Sequence, residues 1–281
     1  MIAFDRLVVT YPRAAAPAVD DFSAISADGV FTAVVGPNGS GKSSIVRALL
    51  GRVPVTSGTI SIDGQLGTSL PARERARRVA VVVQREEPAF PMAIRDYIGL
   101  GRSPSLGAWD RPIALERTVE ASAAAAGVAS LLGRRTDELS GGEWQRVRIA
   151  RALAQETHSI VMDEPTSALD IGHEMETFEL LAGLAAAGRA VLVISHQLNL
   201  VARFAQHVVV LHRGAVAASG APDDVMRAPV LESVYDCPLV VVRDPAIGAP
   251  TLIPLRRPRP DLGSPHGGLY AASDSRLGMI P

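Results

Sequence analysis

Short uninterrupted apolar runs, each ending abruptly at glycine or a polar residue, set the frame of this chain. Val30 to Val35, Val79 to Val83, Ile160 to Met162 and Ala190 to Ile194 lack the alternation of a half-exposed strand, which predicts strands buried on both faces. Ile2 to Thr10 alternates and reads as a strand up to Tyr11-Pro12, ahead of a loose Ala/Pro loop. Gly58 to Gly64 predicts a short strand entering an Asp-Gly turn. Val208 to Leu211, Arg213-Gly214 and Ala215 to Ala218 predict a closing hairpin. Helical patterns fall on Ile45 to Leu50, on Leu198 to Phe204, and on Gln145 to Ala154, where Val147, Ile149, Ala150 and Leu153 share a face.

From Arg85 to about Glu156 the chain turns to Ala- and Arg-rich helical stretches broken by Pro88, Pro91, Pro104, Gly107 and Pro112, the pattern of an inserted helical subdomain. Residues 222–254 read as a small helical and extended appendage. Residues 256–281 are rich in Pro, Gly and Ser and read as a disordered tail. No internal repeat is visible, so the chain carries one such unit.

Composition narrows the function classes. With 281 residues, 47% of them hydrophobic, a sizeable core is available. A net charge of −1 and 4% aromatic residues give neither the basic footprint nor the stacking supply of a nucleic-acid binder, so no nucleic-acid partner is expected. The dense basic run Arg73 to Arg78 contains Glu74 and reads as a solvated helix face. No apolar stretch approaches the roughly 18 residues needed to span a bilayer, and the first residues lack a signal peptide's basic-then-apolar pattern. The single cysteine, Cys237, rules out an intramolecular disulfide and reads as a structural thiol in a reducing compartment.

The chemistry gathers at the ends of the apolar runs. Gly36-Pro37-Asn38-Gly39-Ser40-Gly41-Lys42-Ser43 follows one strand and opens a helix, so its backbone N–H groups can cradle phosphate oxygens at the helix's positive end. Lys42 would reach the β and γ phosphates and Ser43 would offer its hydroxyl to Mg²⁺. Lys42 is also the only lysine among 28 basic residues, a compact ammonium kept where a forked guanidinium does not fit. Ile160-Val161-Met162-Asp163-Glu164 ends in two carboxylates at the sheet's carboxyl edge. Asp163 is placed there to hold Mg²⁺, and Glu164 to orient and deprotonate an attacking water. His196 ends a further strand at the same edge, where it can donate to a phosphate oxygen. Ser140-Gly141-Gly142 opens a second helix and offers another anion-binding end, although a plain N-cap reads equally well. Tyr11 at its strand end fits either base stacking or ordinary packing.

Together these residues resemble the ATP-binding subunits of ABC transporters from about Ile2 to Met226. Gly36 to Ser43 is similar to the Walker A motif, Ser159 to Asp163 to Walker B, and Gln84 to the Q-loop. Leu139 to Glu143 resembles the signature, Ser167 to Asp170 the D-loop, His196 the switch histidine and Tyr11 the adenine-stacking A-loop. Two departures are small: Ser159 replaces an apolar residue, and Glu143 stands where many cassettes have Gln.

The resemblance implies an α/β fold: a P-loop (RecA-like) core with an antiparallel β-subdomain and an inserted α-helical subdomain. It divides the chain into an ABC ATPase domain, 1–255, with core segments 1–84 and 157–230, a helical signature subdomain 85–156 and an appendage 231–255. It implies catalysis by Glu164, His196, Gln84 and Lys42, with metal held by Ser43, Gln84 and Asp163. ATP would be bound by Tyr11, the loop from Gly36 to Ser43 with Ser44, and Ser140, Gly141, Gly142 and Asp170. It further implies a head-to-tail ATP-sandwich dimer with a second copy and transmembrane permease subunits on the cytoplasmic face of the cell membrane. An extracytoplasmic binding protein would be an indirect partner.

Rival classes meet specific obstacles. A GTPase needs an Asn-Lys-x-Asp motif, which a chain with one lysine in its phosphate loop cannot supply. Soluble ABC ATPases usually carry two cassettes or a long coiled-coil insertion. A non-hydrolysing sensor does not need Glu164 and His196. Within the family, Phe90-Pro91-Met92 through Gly101-Arg102-Ser103-Pro104, together with the ending around Val240 to Pro254, resembles importers of iron-siderophores, haem and cobalamin. Transport of another cargo is the alternative.

Overall fold

The computed structural model describes residues 1–88, 90–105 and 112–256. Gly107 and, from residue 257 on, the tail expected to be disordered lie outside them. The chain opens with β1 (Ile2–Val9), β2 (Val19–Ser26) and β3 (Phe31–Val35), and the phosphate-type loop leads from β3 into α1 (Lys42–Leu49). β4 (Ser57–Ile62), β5 (Gln65–Leu66), α2 (Ala72–Ala76) and β6 (Val79–Val82) follow, then α3 (Ile94–Gly99), α4 (Pro112–Ala125) and α5 (Gly141–Ala154). The chain then alternates through β7 (Ser159–Asp163), α6 (Ile171–Ala186), β8 (Ala190–Ile194), α7 (Leu198–Phe204), β9 (His207–His212) and β10 (Ala215–Gly220). It closes, within the described residues, with α8 (Pro222–Val225), α9 (Ala228–Tyr235), β11 (Leu239–Arg243) and β12 (Pro250–Pro254).

Six strands form the main sheet in the order β10-β9-β3-β8-β7-β6. All neighbours are parallel except β9 and β10, which close the edge as a hairpin. Its turn is the two residues Arg213 and Gly214, both at positive φ, as a type I′ turn requires. The uninterrupted apolar runs are explained by the layers on both sides. Phe31, Ala33, Val35, Ile160, Met162, Val191 and Val193 point into a core shared with α3 to α7. Val34, Val161, Leu192 and Ile194 point the opposite way, onto α1 and the antiparallel sheet β2-β1-β4-β5. Burial of each such side chain is worth about 2 kcal/mol.

Two elements depart from expectation. The loop expected after Pro12 ends at Ala18, because Val19 to Ser26 pairs antiparallel with β1 across two register shifts. α6, capped by Asp170, was not foreseen. The basic run Arg73 to Arg78 starts on α2, which buries no residue, as a solvated face should, and Arg73, Arg75 and Arg77 donate to the backbone carbonyls of Pro104 and Leu49. Half-buried Cys237 has no disulfide partner, and its Sγ lies 3.6 Å from the Pro238 carbonyl, in keeping with a structural thiol.

Candidate nucleotide site

The order β3-β8-β7-β6 lines up four carboxyl ends, and each delivers a singled-out residue. The loop Gly36 to Gly41 leaves β3, Gln84 follows β6, Asp163 ends β7 with Glu164 directly after it, and His196 follows β8. Ladder register fixes their height: Asp163 pairs with Ile194, Val34 also pairs with Ile194, and the Glu164 amide donates to the Ile194 carbonyl at 2.9 Å. The result is a cleft of about 250 Å³ lined by Ala18, Asn38, Gly39, Gly41, Lys42, Ser43, Ser44, Gln84 and Glu164.

Crowding behind the loop forces its shape. Gly41 has φ +106, and a Cβ there would stand 2.2 Å from the Ala18 carbonyl. A Cβ on Gly36 would meet the Leu211 carbonyl at 2.1 Å, whereas one on Gly39 would meet open space. Lys42 and Ser43 begin α1, so their N–H groups have no acceptor within the helix. Ser40 Oγ is buried without a partner among the described residues. These donors suit an anion of phosphate size.

Lys42 is buried and curls back, donating Nζ to the carbonyls of Gly36 at 2.7 Å and Pro37 at 2.9 Å. Burial lowers the ammonium's pKa, and the charges of Glu164 and Asp163 oppose that shift. Ser43 Oγ donates to Asp163 Oδ1 at 3.4 Å, bringing a hydroxyl and a carboxylate together as a divalent cation on oxygen ligands requires. Burial raises the Asp163 pKa, helped by Glu164 and opposed by Ser43 and Lys42. A hard cation would relieve that cost, so the donor set fits Mg²⁺. Glu164 has φ +54, a strained setting for a side-chain-bearing residue, and its Oε2 meets His196 Nδ1.

The other residues lie around or beyond this cleft. Tyr11 accepts a hydrogen bond from Arg47 at 3.1 Å and meets Ser44 Oγ at 3.2 Å, so its ring flanks the start of α1. Exposed Ser140 N-caps α5 in a capping box: its amide and hydroxyl both donate to Glu143 Oε2 at 2.8 Å, and the Glu143 amide donates to Ser140 Oγ at 3.3 Å. Glu143, where glutamine is common, also takes Arg134 at 3.1 Å. The backbone and hydroxyl of Ser140 hold the Glu143 pKa below its usual range. Gly141 and Gly142 pack on Ala168, and Asp170 caps α6 through the His173 amide at 2.9 Å. Ser140, Gly141, Gly142 and Asp170 do not line the cleft of their own chain. Arg47, which reaches Tyr11, was not singled out from the sequence. It lies on the same helix as Lys42, but an exposed arginine gave no signal.

Comparison with known proteins agrees with this geometry. The family model described as ABC transporter matches residues 19–167. The hemin import ATP-binding protein HmuV of Nocardia farcinica is 40% identical over 233 residues, covering 82% of this chain and 80% of that protein. The ferric enterobactin transport ATP-binding protein FepC of Escherichia coli is 34% identical, covering 83% of this chain and 87% of FepC. Among solved structures, the dimeric bacterial ABC transporter cassette MJ0796 superposes with a TM-score of 0.72 at 26% identity, covering 79% of this chain and 98% of that one. The chain binds ATP and belongs to the ABC transporter family.

Proposed function

We propose that this protein is the ATP-hydrolysing subunit that powers a membrane importer, with an iron-siderophore, haem or cobalamin as cargo. The observation that carries the ATPase reading is the convergence of Lys42, Ser43, Gln84, Asp163 and Glu164 at one sheet edge. Lys42 and the loop amides hold the β and γ phosphates, and Tyr11 stacks on the adenine. Ser43, Asp163 and Gln84 would hold Mg²⁺, which would supply charge neutralisation at the phosphates. Glu164 orients a water and takes its proton, while His196 positions Glu164 and donates to the γ-phosphate.

In this reading the chain divides into core, 1–84 and 157–230, helical subdomain, 85–156, and appendage, 231–255. Ser140, Gly141, Gly142 and Asp170 serve the nucleotide of a second copy in a head-to-tail dimer, which supplies the donors absent from the chain's own cleft. Among the described residues no helix is long and apolar enough to cross a membrane, which supports a peripheral subunit docked on separate permease subunits at the cytoplasmic face. An extracytoplasmic binding protein would select the cargo.

The cargo class is supported by relatives named for hemin and ferric enterobactin, and by the cobalamin import ATP-binding protein BtuD of Halobacterium salinarum, 38% identical over 84% of this chain and 60% of BtuD. Deleting the gene and measuring uptake of labelled ferric siderophore, haem and cobalamin tests it. Loss of one uptake is expected; unchanged uptake of all three in a strain without a redundant system contradicts the cargo reading. Steady-state phosphate release tests the ATPase reading separately.

A further inference from the structure

We infer that Arg148 is a positioning residue for hydrolysis: its buried guanidinium fastens the segment carrying Gln84 to α5 and, through Gln145, to the strand end carrying Glu164. This rests on the roles given above to Gln84 and Glu164. Arg148 lies on α5 with 3% of its surface exposed, where an unpaired guanidinium would be costly, and its two Nη atoms are hydrogen-bonded. These two terminal nitrogens donate to the segment carrying Gln84 and to α5 itself, while Nε makes only an ion-pair approach to Glu86. Nη2 donates to the Val83 carbonyl, directly before Gln84. Nη1 donates to Gln145 Oε1 at 2.7 Å, and Nε lies 3.6 Å from Glu86 Oε2. Gln145, equally buried, passes the link on by donating Nε2 to the Pro165 carbonyl at 2.9 Å, one residue after Glu164.

Glu86 is anchored from further points, by Arg151 and Trp144 of α5 and by Tyr97 of α3. Arg151 pairs with its carboxylate, Tyr97 donates to Oε1 at 3.2 Å, and Trp144 Nε1 donates to its backbone carbonyl at 2.8 Å. Tyr97 and Trp144 have ring centroids 4.7 Å apart, and Arg151 lies 4.9 Å from the Tyr97 ring centroid. Residues 83 to 86 are therefore stapled to α5 on both sides of Gln84, which itself stays exposed and lines the cleft. Any shift of α5, whose first turn is the signature, moves Gln84 and the Pro165 carbonyl together. A lysine at this position has one ammonium and no fork to span the Val83 and Gln145 acceptors.

The test is Arg148→Met, which fills the space without charge. The ATPase kcat should fall by about tenfold while KM for ATP stays within about twofold, because the Lys42 loop is untouched. Arg148→Lys should not rescue it. In a Trp109→Phe background without nucleotide, Trp144 emission should shift to the red and become easier to quench with acrylamide, since its Glu86 anchor is released. Glu86→Gln should lower kcat in the same direction, and adding it to Arg148→Met should cost little more, as for groups acting as a unit. Parental kcat and parental Trp144 emission in Arg148→Met overturn the inference. If that variant does not fold, Glu86→Gln decides: reduced kcat at unchanged KM supports it and parental kcat overturns it. Glu164→Gln is run alongside. If it turns over normally the underlying reading fails, whereas an inactive Glu164→Gln with a parental Arg148→Met removes only the relay.

Discussion

Two glycine-rich loops open helices in this molecule, and they differ in what the glycines are for. At Gly36 to Gly41 the backbone is wedged against the Ala18 and Leu211 carbonyls at φ values that L side chains rarely adopt, and two buried carboxylates face the helix start. At Gly141 and Gly142 no positive φ occurs and a Cβ would meet its nearest neighbour at 3.7 Å and 3.3 Å, while the Ser140 hydroxyl closes on Glu143. The first loop is shaped from within by its own chain. The second is exposed at Ser140 and Gly141 and imposes no left-handed backbone. The contrast supports the proposal that the signature of one copy completes the nucleotide site of another.

The largest effect that sharpens this contrast is Glu164→Gln. The phosphate loop stays intact while the base is lost, so kcat should drop about a thousandfold with ATP affinity kept. Near-parental turnover would remove Glu164 from the catalytic role. Next is Lys42→Arg. Nζ threads between the Gly36 and Pro37 carbonyls on a thin stem, and a fork in that space should reduce turnover about a hundredfold despite its charge. Parental hydrolysis by this variant would break the account of the loop.

Asp163→Asn should lower hydrolysis about thirtyfold by weakening the cation site. It should also stabilise the nucleotide-free protein. Burial raises the Asp163 pKa in the fold, so the ionised carboxylate is destabilising above that raised value and the penalty vanishes below the unfolded one. The variant's Tm should be higher by about 2 °C at pH 8, and the gain should shrink as pH falls toward about 4. A Tm gain that grows on acidification would contradict this. Smallest is Tyr11→Ala, which should raise KM for ATP about fivefold with little change in kcat, because stacking is lost while the phosphate contacts remain.

How much of this was legible in the sequence depended on burial symmetry. β3, β6, β7 and β8 could be read because strands covered on both faces become uninterrupted apolar runs, and their ends gave the cleft residues directly. β2 could not: Val19-Asp20-Asp21-Phe22 breaks alternation at a register shift, and Asp21 has φ +52. α6 was missed because polar and apolar residues from Gly172 to Ala186 mix without a clean face, although Asp170 was an N-cap signal. The site's walls could be read from motifs, but its scaffolding could not. Gln145, Arg148 and half-buried Glu86 are ordinary polar residues until the fold packs them against one another.

The split site is tested most directly by sedimentation of Glu164→Gln with and without ATP, beside the double variant Ser140→Arg/Glu164→Gln. Glu164→Gln should be monomeric without nucleotide and dimeric with ATP. The double variant should still bind ATP, because Ser140 does not line its own chain's cleft, yet remain monomeric. A monomeric Glu164→Gln at saturating ATP, or an ATP-dependent dimer that forms equally well with Ser140→Arg, would contradict the claim that the signature of one copy completes the nucleotide site of another.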